Sequence, residues 1–149
     1  MSNHSIILDY LKDIMQELTD GAVTFNFSQS EPDTYSIVTR YADKTIRSYI
    51  NGDEEKEYGF EIVMIRQYSS DEDDLNLEAM EFGQDLIELL DEKNRNKDFP
   101  DLGNDTEVQS VEVLQNMPNL AGINAEEALA QYRVQGRIVY KVKNSKGWD

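Results

Sequence analysis

The stretch TIRSYINGDEEKEYGFEIVMIRQY, residues 45–68, decides the fold. Two β-rich runs flank Asn51-Gly52, and both of those residues tolerate the positive φ that a tight turn between antiparallel strands demands. Thr45 to Ile50 forms one arm of a hairpin. Lys56 to Tyr68 forms the other, a long strand with Tyr58, Phe60, Ile62 and Met64 on one face. Asp53, Glu54 and Glu55 lengthen the loop beyond two residues, so the sequence leaves its turn type open.

Working towards the N-terminus, Tyr35 to Tyr41 reads as a short strand, set off from the hairpin by a turn at Ala42-Asp43-Lys44. A polar connection from Ser28 to Thr34, with Pro32, precedes it, and Val23 to Phe27 alternates as a further strand. Ile7, Leu11, Ile14 and Leu18 recur at helical spacing opposite Asp9, Lys12, Asp13 and Glu17, with Asn3 or Ser5 as cap and Gly21 as stop.

Towards the C-terminus, residues 69–74 (SSDEDD) open a second helix, since hydroxyls and carboxylates satisfy free amides and complement the positive end of the helix dipole. Its buried stripe is Ala79, Phe82, Leu86, Leu89 and Leu90. Glu78, Glu81, Asp85, Glu88 and Glu92 lie outside the stripe, and Lys93, Arg95 and Lys97 sit near its end. Phe99 to Asp105 is a loop, Val108 to Leu114 a strand, and Asn116 to Asn124 an irregular stretch. Ala128 to Val142 then alternates over a long span, with Tyr132, Val134, Ile138 and Tyr140 against Arg133, Gln135, Arg137 and Lys141. This is a long, half-exposed antiparallel strand. The expected fold is α+β, a mostly antiparallel sheet with two helices packed on one face, in the order α-β-β-β-β-α-β-β. One domain covers residues 1–143, and a flexible tail covers 144–149.

The 149 residues suffice for one substantial core. No apolar run approaches the roughly 20 residues of a membrane-spanning helix. The opening Met1-Ser2-Asn3-His4 has no basic region, and Asp9 and Asp13 interrupt the apolar residues beyond it, which argues against a secretory signal. The absence of cysteine removes disulfides, thiolate zinc sites and cysteine nucleophiles, and fits a reducing compartment. Thirty acids against 14 bases give a net charge of −16. The excess is uneven: from Ala130 onward there are five bases and one acid, while the preceding 129 residues carry −20. Such a body repels phosphate. Its charge serves solubility, the lining of a channel past which DNA slides, or mimicry of DNA.

The residues hold little chemistry. His4 is the only histidine, reads as a solvated residue of the N-terminus, and cannot alone supply a zinc site or a catalytic triad. No phosphate-binding glycine loop or nucleophile elbow is present. A calcium loop counted from Asp71 would place Leu75, Asn76 and Phe82 where an oxygen donor, glycine and glutamate are needed. Glu78, Glu81, Asp85 and Glu88 share one polar helix face, with nothing to split their pKa values as acid–base catalysis requires. The aromatics Tyr49, Tyr58, Phe60 and Tyr68 stand among carboxylates, the wrong potential for stacking nucleic acid. No enzyme activity, cofactor or metal is expected.

Spread over most of the chain, the order of these features resembles a family: the minor capsid or tail-terminator proteins of long-tailed bacteriophages and prophages. The features are the N-terminal helix, the hairpin at Tyr49-Ile50-Asn51-Gly52 with Lys56 and Phe60-Glu61-Ile62, and Arg66 closing that strand. The helix from Asp74 to Glu92, the Phe99-Pro100 loop, Val111-Glu112-Val113, Pro118 and the strand from Ala130 to Tyr140 complete it. The resemblance implies a structural, homo-oligomeric virion protein that forms a ring, usually of six, on the tail tube. There it stops growth and meets head-completion proteins, while DNA passes through the channel without specific binding. The implied location is the virion, and the bacterial host cytoplasm during assembly, with no membrane involved.

Loops on a rigid sheet carry contacts. The expected contact residues are therefore Asn51, Gly52, Asp53, Glu54, Glu55 and Lys56 in the hairpin and Phe99 and Pro100 in the loop. Arg133 and Arg137 join them, because a basic strand on an acidic body offers the two unlike patches that a head-to-tail ring needs. The rival readings are an acidic DNA mimic that inhibits a nucleic-acid enzyme, against which the basic last strand counts, and a carboxylate-dependent hydrolase.

Overall fold

The computed structural model describes residues 3–19, 23–25, 34–67, 73–103, 105–114, 119–124 and 129–143. Within them the chain runs α1 (Asn3–Leu18), β1 (Val23–Phe25), β2 (Thr34–Ser48), β3 (Glu54–Gln67), α2 (Asp73–Arg95), β4 (Thr106–Val113), β5 (Asn119–Asn124) and β6 (Leu129–Val142). The sheet order is β1-β2-β3-β6-β4, with β5 also on β6. Every pairing is antiparallel except β1 with β2. The α+β class and the mostly antiparallel sheet are as expected.

Alternation explains the layers. Tyr58, Phe60, Ile62 and Met64 of β3 and Val134, Ile138 and Tyr140 of β6 point to one face. There they pack in a single cluster with Ile7, Leu11 and Met15 of α1 and Leu86 and Leu90 of α2. Each of the helix residues is fully buried, which favours folding by about 1.5–3 kcal/mol per side chain before the entropy of ordering is subtracted. The expected stripe of α2 holds at Leu86 and Leu90, with Phe82 and Leu89 partly buried and Ile87 added. The side chain of Ala79 lies outside the described residues. Gly136 leaves no room for a side chain, since a Cβ there would lie 2.5 Å from the Phe60 ring and 2.8 Å from the Glu112 carbonyl oxygen.

β6 is the spine. One of its edges pairs with β3 along its whole length, from Glu54↔Val142 to Gln67↔Leu129. The other edge holds β5 and β4 end to end.

The strands are distributed differently from the expected order. Ala42-Asp43-Lys44 is not a turn: β2 is continuous, and Asp43 takes a φ of 52° where the register to β3 shifts between Tyr41 and Lys44. The turn-favouring residues produce a bulge inside one strand, and the buried Tyr140 hydroxyl fastens it by donating to the Asp43 carboxylate. The stretch before Asn124 is not irregular from Asn119 onward; it is β5, with a register shift between Leu120 and Gly122. Its local propensity is poor, and pairing with β6 overrides it. The order is thus α-β-β-β-α-β-β-β.

His4 is also not a solvated terminus. It lies within α1, with Nδ1 3.0 Å from the Tyr58 hydroxyl. Gly21, Asn26 and Phe27, most of the connection from Ser28, Tyr68 with the 69–72 part of the acidic cap, Pro118, Ala128 and the tail 144–149 lie outside the described residues.

Candidate functional site

Three places hold the residues expected to make contacts, and the first is the hairpin tip. Gly52 N donates to the Tyr49 carbonyl at 3.0 Å, and Tyr49 N donates to the Asp53 carbonyl at 2.8 Å. Gly52 has a φ of 94°. This is a three-residue loop, Ile50-Asn51-Gly52, closed by a glycine in the left-handed region. It is shorter than expected, and Glu54, Glu55 and Lys56 belong to β3. Asn51 Oδ1 accepts from Asp53 N at 3.0 Å, which stiffens the turn from within. The Lys141 ammonium sits 3.5 Å from Asp53 and 4.9 Å from the centre of the Tyr49 ring. The Tyr49 hydroxyl donates to Glu55 at 3.1 Å, and Lys56 lies 3.6 Å from Glu54. The acids of the tip are therefore partnered, and what the tip presents is Ile50, which is fully exposed. Sequence reading missed Ile50 as a contact residue, although an apolar side chain next to Asn-Gly is the signal that could have found it.

The second place is the loop after α2. Phe99 packs partly buried against the core and Leu102 is buried, so the loop is anchored. Gly103, at a φ of 110°, turns the chain into β4, with its amide donating to Asp101 Oδ1 at 3.0 Å. Thr106 pairs with Val142, and Val142 with Glu54. Loop and hairpin tip therefore share one end of the sheet. Asn51 to Lys56 and the end of the loop that follows Phe99-Pro100 lie at that end, on opposite sides of β6, and Arg133 and Arg137 do not.

The two arginines occupy the third place, the sheet face opposite the helices. Arg137 Nη1 lies 2.8 Å from Glu57 Oε2, and its Nε 2.6 Å from Glu112 Oε2. The hydrogen bond to Glu112 leads the causes that raise the arginine's pKa above its usual range. Arg133 Nη1 lies 3.2 Å from Glu61 Oε2, and Gln135 Nε2 donates to Glu61 Oε1 at 2.8 Å. Glu57 and Glu61 are buried, and buried carboxylates persist only when paired and hydrogen-bonded in this way. The basic strand thus answers acids of its own subunit across β3 and β4, where the sequence suggested it was offered to a neighbour. Beside this ladder, Ser36, Val38, Glu61, Val63, Gln131 and Arg133 line a hollow of about 100 Å³.

A larger cleft of about 300 Å³ lies between α1 and the end of α2. Lys93 bridges Glu17 at 3.3 Å and Asp98 at 3.1 Å there, and the hydrogen bond to Asp98 leads in raising its pKa. The Tyr10 hydroxyl donates to the Asp98 carbonyl at 2.7 Å, and burial raises its pKa well above the phenol range. These contacts tie the helices together. Among the described residues no three His, Asp or Glu side chains are gathered so as to hold a metal, and no helix is long and apolar enough to cross a membrane. No protein-family model matches this chain, and no curated protein matches it.

Proposed function

We propose that this protein is a non-enzymatic assembly subunit, a ring-forming tail terminator of a long-tailed bacteriophage or prophage that caps the tail tube and helps join tail to head. The observation that carries the reading is the hairpin tip. A bare isoleucine stands on an internally braced turn, at the same end of the sheet as the anchored Phe99-Pro100 loop. A rigid apolar projection flanked by polar side chains is suited to burial in a partner's pocket, and it loses little entropy on docking. The net charge of −16 accords with a channel that lets DNA pass without sticking. The partners are further copies of the chain, the tail-tube protein and head-completion proteins.

Negative-stain microscopy of the protein alone and mixed with tail tubes tests this. Rings or capped tubes are expected, and Ile50→Asp should fold normally yet cap poorly. Dispersed particles that ignore tubes, together with a pull-down that recovers a nuclease or polymerase, would replace this reading with the DNA mimic.

A further inference from the structure

The two edges of the sheet differ in charge and are open at the same height. On β2, β1 pairs only with Tyr35 to Ile37, and among the described residues no strand covers the outer edge beyond them. That open edge carries Arg40, Lys44 and Arg47 against a single acid, Asp43. On the far side, β4 carries Glu107 and Glu112 and no base. The Asn94 side chain, at the end of α2, takes the Val111 amide at 3.0 Å. The Thr106 amide donates to the Gly103 carbonyl at 3.3 Å, which leaves Glu107 to Ser110 as the open part of that edge.

One row of residues crosses the whole sheet between these edges. Arg47 pairs with Glu55, Glu55 with Lys141, and Lys141 with Glu107. The signs alternate, plus, minus, plus, minus, and the row ends in exposed side chains on both edges. Among the described residues, neither the Arg47 nor the Glu107 side chain has an ion-pair or hydrogen-bond partner.

We infer that the subunit interface of the assembly is this edge pairing: the open edge of β2 from Arg40 to Ser48 in one copy lies antiparallel to Glu107–Ser110 of β4 in the next, with Arg47 facing Glu107. The inference rests on the ring reading and names its interface. Strand direction permits the pairing. β2 opposes β3, β3 opposes β6, and β6 opposes β4, so β2 and β4 run in opposite senses. A rotation axis along the strands preserves those senses from copy to copy, and the sheet continues around the ring without a change of pattern.

Charge selects this pairing over its alternatives. Two β2 edges together set bases against bases, and two β4 edges set acids against acids, which cross-strand pairs disfavour. Only the unlike edges match, and an unlike pair is head-to-tail, the kind of contact that closes into a ring. Charged edges also discourage indiscriminate strand addition, so the same residues that admit the next copy exclude other strands.

The test uses charge reversal and cross-linking in the full-length chain, read by sedimentation velocity and by microscopy on tail tubes. Arg47→Glu alone and Glu107→Lys alone should each shift assemblies to single subunits, and the double variant should restore them. The chain has no cysteine, so a variant carrying both Arg47→Cys and Glu107→Cys should oxidise to a ladder of linked subunits. Either single cysteine should give no ladder. If the wild type forms rings but the single reversals assemble unchanged and no ladder appears, the edge inference is overturned and the ring reading survives. Loss in the singles with no recovery in the double and no ladder overturns it equally. A wild type that remains a single subunit in solution and ignores tubes overturns both.

Discussion

The two halves of β2 share a strand and little else. Thr34 to Ile37 are all buried, held between β1 and β3, whereas Ala42 to Ser48 are all exposed. Both halves pair with the same hairpin partner. The difference comes with what lies on the other side: β1 in one case and, among the described residues, no strand in the other. A strand's character is thus set by its neighbours as much as by its own residues. The bulge at Asp43 is where one regime gives way to the other.

The sharpest way to break the comparison is to cut one methyl-rich side chain in each half. Ile37→Ala removes a fully buried group from the core and should cost about 2–5 kcal/mol in urea unfolding. The buried Glu57 on β3 lies opposite the start of the exposed half and answers both Lys44 there and Arg137 of β6. Glu57→Gln should cost about 1–3 kcal/mol and weaken the registry of β3 with β6, read as faster amide exchange at residues 54–60.

Tyr140→Phe removes only the hydroxyl that fastens the bulge and should cost about 1 kcal/mol, with exchange quickening first at residues 42–44. The same hydroxyl gives a dependence on pH. Burial raises the pKa values of Tyr58 and Tyr140 above the ordinary 10.0. The unfolded chain then gives up these protons at lower pH than the folded one, so stability is full below about pH 10 and falls as pH rises past it. Phenolate absorbance followed with circular dichroism should show ionisation of these tyrosines coinciding with unfolding, and Tyr140→Phe should make the alkaline loss shallower. The smallest effect belongs to the exposed half: Ile46→Ala should change stability by no more than about 0.5 kcal/mol. A large loss there would mean that the open edge of β2 is packed after all.

Legibility in the sequence divides along the same line. The hairpin, both helices and the two faces of β6 are legible, because period-two and helical spacing report which side chains share a face. The continuity of β2, the parallel pairing of β1 and the existence of β5 are not, because each depends on a partner distant in the chain. Asp43 reads as a turn residue when it is a bulge residue, and only Tyr140, nearly a hundred positions away, distinguishes the two. The candidate site divides likewise. Asn51-Gly52 announces its turn, while Arg133 and Arg137 look like a free basic patch until Glu57, Glu61 and Glu112 are placed opposite them.

The position of β6 at the centre of the sheet has a consequence in time. It is the strand to which β3, β4 and β5 all attach, and it comes after every one of them in chain order. A ribosome therefore releases the outer strands before the one that joins them. Until Leu129 to Val142 emerges, the long edge of β3 has no lasting partner, and the nascent chain carries Tyr58, Phe60, Ile62 and Met64 on a strand paired along one edge alone. Folding of such distant pairings is slow, and the interval is the chain's greatest exposure to aggregation. The acids at Glu54, Glu55, Glu57 and Glu61 along β3 keep neighbouring nascent chains apart through that wait.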